Sequence, residues 1–217
     1  TTLNGDITAD GAAGIDLSSA GNVLLNNNVT LTTTNSDGDV VLDSVNGSKT
    51  LTVNSADDIT INDDIGGSTA LTAVTLYAAD VITTGAGGTI NAAGTVSIRT
   101  GLSSGDDITI GATIGAASVT ISGDEVNINA GITGTDSVNI TANGSTSGDD
   151  VNLAASVSSA AATITANNNG IINVTVTQDN TLGSTIYEGA VTLDGTVADS
   201  ITLTSLGDMT FTGAVTA

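Results

Sequence analysis

Apolar and polar residues alternate along this chain in short bursts rather than long runs. One phrase keeps returning: an acid or Asn, then apolar, polar, apolar. It reads DITA at Asp6, NVLL at Asn22, DVVL at Asp39, DITI at Asp58, DVIT at Asp80, DITI at Asp107, EVNI at Glu125, DVNL at Asp150 and DMTF at Asp208. Two further copies, at Ile171 and Val191, lack the acid. Taking the first apolar residue as an anchor gives Ile7, Val23, Val40, Ile59, Val81, Ile108, Val126, Val151, Ile171, Val191 and Met209. Ten steps cover the 202 residues from Ile7 to Met209, a mean near 20.

Within a coil the frame is tighter. Apolar residues fall at offsets 0 and 2, near 6, and near 11 and 13 from the anchor. From Ile108 these are Ile110, Ile114, Val119 and Ile121; from Val40 they are Leu42, Val45, Leu51 and Val53. Val126 leads to Ile128, Ile132, Val138 and Ile140, and Val151 to Leu153, Val157, Ala162 and Ile164. Val191 leads to Leu193, Val197, Ile201 and Leu203.

A separation of two puts alternate side chains on one side of a strand. Three inward segments per coil predict a three-sided cross-section. Gly, Asn, Asp and Ser fill the corners, where the backbone turns tightly. No window keeps a helical period. The predicted fold is therefore all-β: a single parallel β-solenoid over 1–217, about 11 coils of about 20 residues, roughly 50 Å long at ~4.8 Å per coil. Two stretches break the frame. Residues 81–107 hold an insertion around Arg99, read as an extra face or a bulged loop. Residues 167–190 run out of phase and carry Tyr187 and Glu188.

Composition fits a narrow core. There are 217 residues with no Pro, Cys, His or Trp, and aromatics are 1%. Val, Ile and Thr are stiff and suit pleated strands. Without Pro, every strand interior keeps its donor for the neighbouring coil.

The phrases GDVVLDSVNGSKTLTV, DDITIGATIGAASVTISG and YEGAVTLDGTVADSITLTSLGDMTFTGAVTA resemble the repeats of filamentous-haemagglutinin-like proteins, giant bacterial adhesins and two-partner-secretion exoproteins. The resemblance is one of pattern and spans nearly the whole chain. It implies a right-handed helix, export across the outer membrane, and a place on the bacterial surface or outside the cell. It carries over no catalytic residue. The family's amino-terminal secretion domain is not recognisable.

Charge narrows the function further. Net charge is −21, from 23 acids against Lys49 and Arg99. Nucleic-acid binding needs Lys and Arg and is excluded. Anionic membrane surfaces are equally disfavoured, and no apolar run reaches the ~18 residues of a membrane helix. Triads with His, Cys nucleophiles and His-ligated zinc have no residues to use, so no enzyme is expected. A carboxylate pair cleaving polysaccharide is a distant alternative.

The acids before the anchors are expected to line one edge: Asp6, Asp39, Asp58, Asp80, Asp107, Glu125, Asp150 and Asp208. Stacked carboxylates repel, and calcium takes six to eight oxygens. The candidate calcium ligands are Asp57, Asp58, Asp63, Asp64, Asp106, Asp107, Asp149 and Asp150. The alternative is hydrated acids making side-chain turns at corners. Outward Thr and Asn form a second feature. Thr60, Thr109, Asn127, Asn152, Thr192 and Thr210 share one slot with Leu24, Val41 and Ile82; Thr52, Thr120, Asn139, Thr163 and Thr202 share another. Flat Thr arrays suit ice-binding solenoids; β-propensity and solubility explain them more simply.

The expected function is a structural extracellular filament or adhesin stalk. Its expected partner is itself, by tandem continuation or head-to-tail stacking. Placing Thr1 after Ala217 would put Leu3 at offset 11 and start the next coil at Ile7, so the carboxyl end and the amino end complete one coil. The alternative is a binding module for a glycan or host surface on an irregular coil.

Overall fold

A computed structural model describes residues 1–103, 105–143, 150–194 and 201–217. The chain winds as a three-sided parallel solenoid. Among the described residues its first and third faces are each a ladder of ten strands, and the second-face strand Thr89–Asn91 joins the third-face sheet only through Thr113–Gly123. The second face is broken into shorter pieces: a 3-stranded sheet at one end, single bridges through Ile65, and a 2-stranded pair at the other end. Every strand pairing is parallel, as coil stacked on coil requires. No helix among the described residues is long and apolar enough to cross a membrane.

The predicted offsets hold in the coils anchored at Val40, Ile108, Val126 and Val151. All five inward residues of each are buried. Like stacks on like: Ile108 pairs with Ile82 and Val126, and Ile121 with Ile98 and Ile140. Fully burying such a side chain stabilises by about 1.5–3 kcal/mol, so the column itself selects the register.

The frame needs correcting elsewhere. The first-face column runs from Ile15 to Val215, with steps averaging about 22 residues. Ile7 belongs to the third face, paired with Leu31, and Val23 to the second, paired with Val45. Met209 also lies on the third face, paired with Thr185, and Val215 completes the last coil of the first. Ile201 and Leu203 do not reach the third face, since Leu203 pairs with Gln178 on the second. Val197 lies outside the described residues. The cause is that apolar–polar–apolar is the signature of every face, and an end coil has a neighbour on one side only. Val81 and Ile171 are off by one residue. Ile82 and Ile172 are the buried members of those apolar doublets, held by Ile59 and Val151.

The insertion in 81–107 is neither an extra face nor a bulge at Arg99. Thr89–Asn91 supplies the second face and Thr95–Arg99 the third, both in register. The surplus length sits at the corner after Arg99. In the next coils the second and third faces fuse into continuous strands, Thr113–Gly123, Ile132–Ala142 and Val157–Ala166, with register shifts at the bend.

Residues 167–190 also rejoin the stack, with a different interior. Asn168 and Asn169 take the left-handed backbone at the corner. The inward residues then include Gln178, Asn180 and Thr185, all buried. Gln178 Oε1 accepts from Val157 N–H at 3.1 Å and Asn180 Oδ1 from Ser159 N–H at 3.0 Å. Side-chain amides thus replace the backbone ladder on this face. Tyr187 is buried and stacks on Phe211, ring centroids 5.2 Å apart. At the two ends of the rod Leu3, Ile7, Ala9, Leu203, Met209 and Phe211 are only partly buried against the core.

Candidate acidic edge and outer faces

The acids collect at corners because strand interiors are used for packing. Asp39, Asp58, Asp107, Glu125 and Asp150 sit in the expected slot, directly before first-face strands. Gly14, Val81, Ile171, Ala190 and Ala214 fill the same slot in other coils. Asp6 and Asp208 do not join this edge: they precede third-face strands, and Asp6 Oδ1 accepts from Thr30 N–H at 2.7 Å. Asp80 lies one residue before the slot.

Many of these carboxylates act across coils. Asp58 Oδ1 accepts from Val81 N–H at 2.9 Å and Asp150 Oδ1 from Ile171 N–H at 2.7 Å. Asp64 Oδ1 accepts from Thr89 N–H at 2.8 Å, and Asp63 Oδ2 from the Ser44 hydroxyl at 2.8 Å. A corner leaves backbone N–H groups without a ladder partner. A carboxylate from the coil beside it supplies one, so the ladder continues round the bend. Asp106 works within its own corner, accepting from Ser103 N–H at 2.6 Å. Asp149 lies outside the described residues.

One group converges. Carboxylate oxygens of Asp57, Asp58 and Asp80 lie within 4.8 Å of one another. These are hard oxygen ligands of the kind calcium takes. Desolvation, then the Asp58 charge, pushes the pKa of Asp57 and of Asp80 above the usual carboxylate value. Asp107 is raised by desolvation and by Glu125. The other predicted ligands, Asp63, Asp64, Asp106, Asp107 and Asp150, do not join this triplet.

The outward columns are more ordered than the sequence slots implied. On the first face Thr60, Thr83 and Thr109 are followed by Asn127, Asn152 and Asn173. The Asn side chains form a ladder: Asn152 Nδ2 donates to Asn127 Oδ1 and Asn173 Nδ2 to Asn152 Oδ1, each at 2.8 Å. Leu24 and Thr210 belong to other faces and Ile82 points inward. Thr202 is likewise not on the third face; it precedes the second-face strand Leu203–Ser205. The third face carries outward columns along long strands, and there Arg99 lies beside Tyr77, its guanidinium carbon 5.8 Å from the ring centroid. Sequence reading missed this pair, although 22 residues, one coil, separate the two. It also missed the buried amides of the 167–190 coil.

No protein-family model, no curated protein and no solved structure matches this chain. The fold is consistent with the repeat architecture of filamentous-haemagglutinin-like adhesins in general, and residue geometry carries the functional reading from here.

Proposed function

We propose that this chain is a structural β-solenoid segment of an extracellular bacterial filament or adhesin stalk, without catalysis of its own, extended by further coils in tandem or by stacked copies. The observation that carries the reading is the ladder. The first and third faces run the length of the rod, and each coil is a template in register for the next. Repeat arrays of this kind draw stability from neighbours rather than from a closed core. The acidic corners keep rods apart sideways. Calcium at Asp57, Asp58 and Asp80 relieves their mutual repulsion.

Electron microscopy with light scattering tests this. The expected result is filaments of one solenoid's width that lengthen with protein concentration, or a longer rod when two copies are fused in tandem. Ile7→Asp with Phe211→Asp, which charge opposite end coils, should stop growth without unfolding the middle. Discrete monomers at every concentration, together with a tandem fusion that melts no higher than one copy, would sink the reading.

A further inference from the structure

The acids are not spread evenly around the rod. On the third face the strands Val29–Thr33, Thr50–Ser55, Ala73–Ala78, Thr95–Arg99 and Thr113–Gly123 contain no Asp or Glu. The next strand carries Asp136, at its bend, and Glu188 follows near the end of the rod. First-face strands are mostly three residues long, and several have an acid immediately before them. This stretch of the third face is thus an acid-free strip, carrying the cation Arg99, on a chain of net charge −21.

One pair stands out at the edge of the strip, where its strands end. Tyr77 is 39% exposed and Arg99 is exposed beside it. Asn54 lies next to Tyr77 in the same outward column and Ser122 next to Arg99. Thr52, Thr75, Ser97 and Thr120 form a parallel column two residues away. Arg99 is the chain's single guanidinium, among 23 acids. It contacts an aromatic ring and forms no ion pair with any described carboxylate. Its five donors point from a rigid fork.

We propose that this strip binds a neutral, extended polysaccharide, with a sugar ring against Tyr77 and its hydroxyls hydrogen-bonded by Arg99, Asn54 and Ser122. An exposed Tyr presents an apolar body with a polar tip. Rows of hydroxyls and amides repeat every ~4.8 Å along the rod, giving donors and acceptors to a polymer of hydroxyls. The acidic corners on either side repel a polyanion within a Debye length of ~8 Å. A protein partner would need several apolar anchors, and the strip offers only Tyr77. The proposal is independent of how the rod is extended.

Native gels cast with hydroxyethyl cellulose, galactomannan, dextran or alginate test it on the full chain. At least one neutral polymer should retard the protein. Tyr77→Ala should weaken that retardation about tenfold and Arg99→Ala several-fold, with melting temperatures close to wild type. Leu24→Ser, on the second face and 48% exposed, should leave it unchanged. Three results overturn the proposal: no retardation by any neutral polymer, retardation equal in Tyr77→Ala, or retardation by alginate alone. A dimer broken by Tyr77→Ala would assign the strip to a second copy instead and also overturn it.

Discussion

The coils from Ile108 to Ala166 and those from Ile171 to Thr216 share one ladder and differ inside it. Among the described strands of the first group the inward side chains are aliphatic apart from Ser159, and both the second and third faces bond backbone to backbone. In the second group Gln178 and Asn180 replace aliphatics and bridge to Val157–Ala166 through their amides. An aliphatic column tolerates exchange among similar shapes. An amide joint depends on each hydrogen bond being made, because a lone buried polar group is costly. One rod therefore contains a generic interior and a position-specific one.

The largest effect is expected in the generic part. Ile140→Ala removes a side chain between Ile121 and Ile164 and should cost about 2–5 kcal/mol in chemical denaturation. A loss below 1 kcal/mol would mean that the column collapses around the gap. Next comes alkaline pH. Burial pushes the Tyr187 hydroxyl up to about 12. Between its ordinary value near 10 and that value the unfolded chain gives up the proton first. Stability should therefore fall as pH rises through this window, by on the order of 2 kcal/mol, and Tyr187→Phe should flatten the fall.

Asn180→Ala should cost about 1–3 kcal/mol, since the N–H groups of Ser159, Leu182 and Gly183 lose their acceptor. Hydrogen exchange should speed up at Ser159 and not at Ile121; equal protection at Ser159 in variant and wild type would show that the amide is not the joint. The smallest effect belongs to the acid edge. With their pKa raised in the fold, Asp57 and Asp80 favour the native state at low pH and weigh against it once ionised. Asp80→Asn should raise the melting temperature slightly at pH 7, with no gain near pH 3. Millimolar calcium should raise the wild-type melting temperature and leave Asp80→Asn unmoved. An identical calcium response in both would place the ion elsewhere.

The middle of this rod was legible because identical offsets repeat where neighbours exist on both sides. Val40, Ile108, Val126 and Val151 all lead buried sets. Ile7, Val23 and Met209 were misplaced because a three-residue phrase does not name its face. The acid edge was half legible: Asp58 and Asp150 stand where their slot predicted, while Asp6 and Asp208 follow the misplaced anchors. Tyr77 and Arg99 meet only after the coil closes. Gln178 and Asn180 fall in the stretch 167–190 that runs out of phase, because an inward amide carries no hydrophobic signal.

The amide joint also has a mechanical meaning. Ladder hydrogen bonds in a solenoid lie along the rod axis, so tension between its two ends loads the coils in series. Such a rod pays out chain one coil at a time, about 22 residues per step. The seam between Val157–Ala166 and Gln178–Asn180, held by side-chain amides rather than a backbone ladder, is where the second face would be expected to part first under such tension. In the proposed stalk such a seam would act as a shock absorber, stretching while the aliphatic coils stay wound.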